Sequence, residues 1–309
     1  MNIFITDFFM LFEVTEKPIL DWGTYNGLSS LPNAMILGMR LTEIPPRAFS
    51  RKTIDEDYFK DYGKMCKGVF TTVTAHAPYY SLTSEDKDTL KQVKKAMATA
   101  IKMANIAGSE IFNLHIGSAL DDRDAAIDMA ADMIKGLLKE AKNIKISLET
   151  TYTPKFLGSI EDIKAIIEKV GSDRVIISLQ LDNDFIREFE IYKTGNFAEA
   201  NKKANEKFWY NLFERALPLA KGYFSFRFSQ VIGMYLRKKF FVKKRVPFGK
   251  GFPDITPLAK AIAKFVMKEI YEKEIPMEVH IIYTGVPETK FRDSIGLYNA
   301  VLSEFAELL

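Results

Sequence analysis

Short runs of β-branched and apolar residues alternate with longer amphipathic stretches along almost the whole chain. Runs such as 69–76 and 174–181 are typical of strands, whereas 84–108 and 159–171 carry the apolar spacing of helices. Strands that are each followed by a helix predict right-handed crossovers and a parallel sheet. About eight such units fit a closed barrel better than an open sheet, so we predict an α/β fold, a (β/α)8 TIM barrel.

The predicted barrel forms a single domain over residues 1–309. Its strands are expected at 3–12, 34–41, 69–76, 111–116, 144–150, 174–181, 223–230 and 277–284. Its helices are expected at 53–66, 84–108, 122–142, 159–171, 196–222, 254–273 and 293–309. The long stretches 14–33, 183–200 and 230–253 are interpreted as loop elaborations of the barrel. No Gly-x-Gly-x-x-Gly turn follows the first predicted strand, which argues against a dinucleotide-binding sheet.

Composition limits the class of protein. Hydrophobic residues make up 47% and charged residues 27%, which is typical of a globular protein with a substantial core. The single cysteine, Cys66, cannot form an internal disulfide, and no stretch reaches the ~20 uncharged apolar residues of a membrane span. We therefore expect a cytoplasmic protein with no membrane partner. The net charge of +3 is too small to indicate nucleic-acid binding by itself.

Four consecutive predicted strands each end in a residue that can bind a metal. These residues are His76, His115, Glu149 and Asp182. A single histidine near a strand end is more often structural, and a single carboxylate there is often the N-cap of the next helix. Four such residues on adjacent strands should meet at the carboxyl-terminal rim, where TIM barrels carry their active sites. Two imidazoles and two carboxylates are a ligand set for zinc, manganese or iron, so we favour a metal site.

The segment 237–245 places six basic residues within nine positions. They are Arg237, Lys238, Lys239, Lys243, Lys244 and Arg245. Such a cluster can bind phosphate through charge-assisted hydrogen bonds. Phe240 and Phe241, between the two basic runs, fit either a pair that stacks on bases or a hairpin turn. The alternative interpretation of the segment is a solvated hairpin without a ligand.

Six segments of the chain together resemble the endonuclease IV family. They are PPRAFSRKTIDED (45–57), TAHAPYY (74–80), NLHIGS (113–118), SLETT (147–151), LQLDND (179–184) and VPFGKGFPDI (246–255). The matches follow the order of the family between about residues 34 and 290. The chain is thereby identified as a member of the superfamily of endonuclease IV and xylose isomerase-like barrels.

The resemblance implies a function and a set of site residues. The family holds three zinc ions at the barrel mouth and cuts DNA on the 5′ side of abasic sites. The family's ligand positions that this chain keeps are His76, His115, Glu149 and Asp182. The resemblance implies that Glu149 is catalytic, as the ligand that bridges metal ions. Arg47 matches the arginine of the family's DNA-inserting loop and Tyr79 its abasic-site tyrosine, although both can equally be surface packing residues.

Four positions depart from the family's ligand pattern: Phe185, Lys243, Arg245 and Tyr283. The first zinc therefore keeps all its ligands, the second keeps a part of them, and the third keeps none. We expect one or two divalent ions rather than three, with zinc as the first choice and manganese as the alternative. Lys243, Lys244 and Arg245 are expected to bind phosphate where the third cation would sit.

These observations favour a metal-dependent phosphodiesterase that acts on abasic DNA in repair, with reduced or altered activity. An inactive homologue that binds nucleic acid is one alternative. A sugar isomerase or epimerase is another, but that branch usually binds one ion through Glu, Asp, His and Glu on strands five to eight, and only Glu149 and Asp182 comply. His280 and Glu278 are interpreted as core or lower-rim groups, with a minor chance that one replaces the lost glutamate. The oligomeric state is left open.

Overall fold

Eight parallel strands close into a barrel in the computed structural model, which describes residues 20–49, 54–236 and 239–308. Every strand pairs with its neighbours in sequence, and the first pairs with the last. The strands are β1 (Leu20–Tyr25), β2 (Leu41–Ile44), β3 (Thr72–His76), β4 (Ile111–Leu114), β5 (Lys145–Glu149), β6 (Val175–Gln180), β7 (Tyr223–Phe228) and β8 (Glu278–Tyr283). The predicted TIM barrel is confirmed.

Helices surround the barrel, and two small antiparallel ribbons lie beside it. The α-helices are Leu31–Ile36, Pro46–Phe49, Glu56–Cys66, Lys87–Ile106, Arg123–Leu138, Ile160–Val170, Leu181–Glu188, Ile191–Thr194, Phe197–Lys203, Glu206–Ala216, Ile255–Phe265 and Lys290–Leu308, with a π-helical stretch at Val266–Tyr271. The ribbons pair Gly117–Ser118 with Phe156–Leu157 and Gln230–Leu236 with Lys239–Val246. Among the described helices, none is long and apolar enough to cross a lipid bilayer.

The amino-terminal part of the barrel differs from the prediction. The strand expected at 3–12 lies outside the described residues. The described first strand, Leu20–Tyr25, falls within the stretch 14–33 that was expected as a loop. The strand expected at 34–41 is also wrong, because helix Leu31–Ile36 covers its beginning.

The physical reason for the second error lies in the surface position of an apolar run. Pro32 stands in the first turn of the helix, a favoured position for proline, and Gly38 has a φ of +70°, which ends the helical path. Ile36 is 83% exposed and Leu37 is 37% exposed. These two apolar residues therefore lie at the exposed end of a surface helix and not in a buried strand.

The other two expected loop elaborations contain regular structure. The stretch 183–200 is helical in large part, since it holds most of helix Leu181–Glu188, then Ile191–Thr194 and the start of Phe197–Lys203. The stretch 230–253 contains the longer antiparallel ribbon, so this elaboration is a β-hairpin. The single helix expected at 196–222 is interrupted, because Asn205 starts a new helix by accepting a hydrogen bond from the N–H of Phe208.

The barrel interior is polar near the rim, and the apolar core lies between strands and helices. Side chains along a strand point alternately to these two sides. On β7, Phe226 packs outward on the helical Phe213, with ring centroids 4.7 Å apart. The next residue, Arg227, points inward and reaches Glu43 on β2. Because of this alternation, β7 places a charged side chain inside the barrel while its outer face is rich in phenylalanine.

Candidate metal centre and anion cleft

Two histidines and a glutamate meet at the carboxyl-terminal rim. His76 ends β3, His115 follows β4 by one residue, and Glu149 ends β5. One ligand atom from each lies within 4.8 Å of the others. The Nε2 atom of His76 is 3.3 Å from Oε2 of Glu149, and Nε2 of His115 is 3.4 Å from Oε1. Three of the four predicted metal ligands are therefore brought together.

The protonation of the two imidazoles suits a metal. Nδ1 of His76 is 2.8 Å from the carbonyl oxygen of Ala77, and because a carbonyl can only accept, Nδ1 carries the proton. Nε2 of His76 then presents a lone pair to the Glu149 carboxylate, an arrangement that a cation between them would stabilise. Burial lowers the pKa of His115 to about 4, so this ring is neutral near pH 7. Neutral imidazole is the form that binds metal ions.

Glu149 is held in its ionised form. Burial alone would raise its pKa, but the neighbouring side chains of His115, Arg227 and His76 together bring the pKa well below its usual range. Asn113 donates a hydrogen bond from Nδ2 to Oε2 at 2.6 Å. Nε of Arg227 lies 2.9 Å from the same oxygen. Oε2 is thus fixed by its partners, whereas Oε1 faces His115.

Arg227 and Glu43 lie next to the candidate metal ligands, although no sequence pattern predicted them there. Nη1 and Nη2 of Arg227 donate to the two carboxylate oxygens of Glu43, each at 2.8 Å, and Nη2 also donates to the hydroxyl of Tyr25 at 2.5 Å. Arg227 is 1% exposed and Glu43 is fully buried. The available signal was a charged residue at an inward position within each of two apolar strands.

Asp182, the fourth predicted ligand, is not part of the group of three. It lies in the first turn of helix Leu181–Glu188 and is fully buried. Its Oδ2 forms an ion pair with Nζ of Lys243 at 2.7 Å, and its Oδ1 accepts a hydrogen bond from Gln180. The lysine also donates to Oδ1 of Asn183 at 2.5 Å. The negative charge of Asp182 is therefore balanced by a lysine, and its role as a metal ligand stays a prediction.

The three basic residues expected to bind phosphate lie on both faces of the hairpin. Lys243 and Arg245 line the cleft above the histidines, whereas Lys244 between them is exposed and is not among the cleft residues. This follows from strand alternation. Burial lowers the pKa of Lys243, and the charge of Asp182 opposes that shift. Residues 237 and 238 lie outside the described part, as do the side chains of 239–242, so the roles expected for them stay predictions.

Aromatic side chains form the other walls of the cleft. The cleft has a volume of about 410 Å³, and its aromatic residues are Tyr79, Tyr80, Tyr152 and Phe156. Tyr79 is 64% exposed, and its ring centroid lies 5.5 Å from that of His76 and 5.1 Å from that of His115. A cleft lined by two cations, exposed rings and two of the candidate metal donors, His115 and Glu149, suits an anionic ligand with flat or apolar parts.

Arg47 lies outside this cleft. It sits in the short helix after β2, is exposed, and lines a second cleft with Gly27 and Tyr58. The end of β2 belongs to the same rim as the metal-binding donors, because all barrel strands are parallel. The position of Arg47 is thus that of a rim residue beside the cleft.

The remaining predicted positions face away from the rim. Tyr283 donates a hydrogen bond to Oδ2 of Asp293 on the last helix, at 2.8 Å. The rim position after β8 belongs instead to Thr284, which accepts a hydrogen bond from Gln180 at 2.8 Å. Phe185 is fully buried among other aromatic rings. These side chains offer no metal-binding atom to the cleft.

His280 and Glu278 lie in the amino-terminal half of β8, away from the rim. Nε2 of His280 is 3.6 Å from Oε2 of Glu278, and the histidine is fully buried. Glu278 accepts a hydrogen bond from Thr72 at the start of β3. Their placement agrees with the interpretation as core and lower-rim groups.

Comparison with known proteins gives the family. The family model described as xylose isomerase-like TIM barrel matches residues 34–300. The chain belongs to this family. The predicted superfamily of endonuclease IV and xylose isomerase-like barrels is therefore confirmed.

Similar proteins of this xylose isomerase-like family include both nucleases and epimerases. An uncharacterized protein of Methanocaldococcus jannaschii is 34% identical over 293 residues, which cover 94% of this chain and 92% of the relative. The crystal structure of endonuclease IV from Thermus thermophilus has a TM-score of 0.64 at 13% identity, covering 92% of this chain and 98% of that one. A D-tagatose 3-epimerase-like protein also has a TM-score of 0.64, at 16% identity and 93% and 97% coverage. At these identities the solved structures show the fold alone.

In this xylose isomerase-like barrel, the described donors fit one divalent ion. His76, His115 and Glu149 would hold the ion, and two imidazoles with a carboxylate are a three-donor set that catalytic zinc sites use. The other rim carboxylates are occupied: Asp182 pairs with Lys243, and burial raises the pKa of Asp184 well above its usual value. Those two groups therefore add no free anionic ligand.

Proposed function

We propose that the protein is a metal-dependent phosphodiesterase of the endonuclease IV type that cleaves DNA at abasic sites. The observation that carries this proposal is the origin of the three metal-binding side chains. They come from β3, β4 and β5, the strands that supply the first zinc of endonuclease IV in the resemblance described above. The isomerase and epimerase pattern instead places its ligands on strands five to eight.

The residues of the cleft have separate tasks in this proposal. His76, His115 and Glu149 hold the ion, and zinc suits two imidazoles and a carboxylate, with manganese as the alternative. A bound divalent ion supplies Lewis-acid stabilisation of the charge that develops on phosphate oxygens. Lys243 and Arg245 face the same cleft and attract the phosphate group.

Two further residues support DNA as the partner. Tyr79 is exposed above the histidine rings, where a nucleotide turned out of a duplex can pack on it. Arg47 projects from the same rim, beside the cleft, in the position of a contact to the flanking backbone. Because each of these residues would contact only a single nucleotide or phosphate, a cleft of about 410 Å³ can act on one position of a long DNA molecule.

Epimerisation of a sugar is the second candidate, favoured by the volume of the cleft and by the epimerase-like structure of equal TM-score. It requires two groups that exchange protons with the substrate carbons. Asp182, the metal ligand that the isomerase and epimerase pattern would use on strand six, is instead paired with Lys243. On strand seven Arg227 takes an inward place and is bound to carboxylates. The described site therefore favours the phosphodiesterase.

Incision of a duplex that carries one abasic site is the direct test. The parent protein with zinc or manganese is expected to cut, and His115→Ala is expected to lose at least about tenfold in rate, since one of three ligands is gone. Lys139→Ala, an exposed change on the far end of helix Arg123–Leu138, serves as the matched control.

Three results separate the hypotheses. If the parent and His115→Ala cut equally well, the activity does not depend on this site and the proposal is wrong. If the parent binds the duplex without cutting, while a known nuclease in the same tube cuts, the inactive nucleic-acid-binding homologue is the better explanation. If a ketose substrate is epimerised instead, the second candidate stands.

A further inference from the structure

A fully buried guanidinium connects two carboxylates beneath the candidate metal centre. Arg227, from β7, donates to both oxygens of Glu43 on β2 at 2.8 Å. Its Nε lies 2.9 Å from Oε2 of Glu149 on β5, which is itself one of the three metal-binding donors. The guanidinium therefore binds Glu43 through two directed hydrogen bonds and lies within ion-pair distance of Glu149.

We infer that Arg227 takes the place of a second divalent ion, so that the centre binds a single metal ion per chain. The inference rests on the metal site of the proposed function and concerns how many ions that site accepts. In a two-metal centre, a shared carboxylate bridges two cations about 3.5–4 Å apart. Here the shared carboxylate is Glu149, whose Oε1 faces His115 and whose Oε2 lies close to both His76 and the guanidinium of Arg227.

The charges of the buried groups support one ion. Glu43 and Glu149 contribute two negative charges and Arg227 contributes one positive charge. The group thus keeps one net negative charge for a cation that the three donors can bind. A second divalent ion at Glu43 would meet the guanidinium at contact distance, where like charges repel strongly in a buried site.

The carboxylate oxygens that a second ion would need already have protein partners. Both oxygens of Glu43 accept from Arg227, and Oε2 accepts a further hydrogen bond from Thr74 at 3.1 Å. At the rim, Nζ of Lys243 forms an ion pair with Oδ2 of Asp182 at 2.7 Å. Glu43 and Asp182 thus each already have a protein cation.

Metal content tests the inference without an activity assay. The parent protein, saturated with zinc and then dialysed, is expected to hold one ion per chain by elemental analysis. Arg227→Met removes the guanidinium and leaves Glu43 and Glu149 without their cation, so a second ion is expected to bind. Arg227→Lys keeps one positive charge and is expected to stay at one ion. Titration with cobalt, followed by visible absorbance, should end at one equivalent for the parent and two for Arg227→Met.

A second variant covers the case in which Arg227→Met does not fold. Glu43→Gln combined with Arg227→Met removes one charge of each sign, so it is expected to fold and to hold one ion. Arg227→Met itself is then examined after refolding with excess zinc, where binding of two ions should restore the native circular dichroism.

The possible results have distinct meanings. Two ions in the parent, or one in folded Arg227→Met, would overturn the inference, as would failure of zinc to refold that variant while the double variant folds. One ion in the parent and two in Arg227→Met, without any incision of abasic DNA, would support the inference and contradict the proposed function. No bound ion in the parent would contradict both.

Discussion

Single charged residues inside the barrel strands decide what this site can do. Glu43, Glu149 and Arg227 are each nearly or fully buried, and each depends on the others for its stability. A buried ion pair contributes little net stability over apolar residues of the same size. Breaking it is costly, because the remaining charge stays buried without compensation. These residues are therefore better explained by their place beside the metal-binding donors than by the stability of the fold.

Glu43→Gln should reveal this dependence in a stability measurement. The substitution leaves Arg227 with one charged partner instead of two, and the free energy of unfolding should fall by about 3 kcal/mol. Urea unfolding of the parent and the variant measures the difference, with the exposed Glu168→Gln as control. The double variant with Arg227→Met should lose clearly less than the sum of its single changes. Additive losses would contradict the coupling.

Lys290 should give the protein a pH-dependent stability in the alkaline range. Its Nζ donates to the carbonyl of Tyr25 and to the side chains of Asn26 and Ser30. Burial, and then the charge of Arg47, lower its pKa to about 8. In the unfolded chain the pKa is about 10.4. Between these values the unfolded state holds more protons, so the free energy of unfolding should rise as pH rises.

The expected rise is at most ~2 kcal/mol between about pH 7.5 and about pH 9.5, since a group that is only partly buried realises less than the full linkage. Urea unfolding at both pH values measures it. Lys290→Met cannot titrate and should lack this contribution. Equal pH profiles for the parent and Lys290→Met would show that the lysine is not shifted.

Local signals in the sequence located some elements well and others badly. The helix expected at 159–171 is found at Ile160–Val170, because Ser159 and Asp162 form a capping box and Gly171 ends the helix with a positive φ. Such signals act within a few residues and can be detected in sequence. The strand expected at 34–41 is wrong, because its apolar residues suggested a buried strand although Pro32 and Gly38 mark the two ends of a short surface helix.

The alternation of side chains along the hairpin strand Lys239–Val246 can be tested by substitution. Arg245 faces the cleft and Lys244 faces away from it. Arg245→Gln should weaken binding of an abasic duplex by about tenfold at low salt, since it removes a phosphate contact. Lys244→Gln should cause a smaller loss, and Lys139→Gln none. Fluorescence anisotropy at two salt concentrations measures these affinities. Equal losses for Arg245→Gln and Lys244→Gln would contradict the assigned faces.

At the scale of the whole molecule, the barrel closure brings together residues that are far apart in the chain. Glu43 and Arg227 are separated by 184 positions, yet Arg227 donates two hydrogen bonds to Glu43. The sequence predicted His76, His115 and Glu149, because strand ends are recognisable and the order of motifs resembles a known family. It did not predict Arg227 or the pairing of Asp182 with Lys243, since these depend on which inward side chains meet across the closed barrel.

The guanidinium of Arg227 on β7 connects β2 and β5 inside the barrel through its ion pairs with Glu43 and Glu149. Of the candidate ligands, His76 and Glu149 lie on strands and His115 directly follows one, so their spacing depends mainly on the barrel and less on the loops above it. Loops that face substrate can be lengthened, shortened or exchanged while the metal-binding geometry stays constant. In a barrel of this kind, selectivity for a new substrate can evolve separately from the chemistry beneath it.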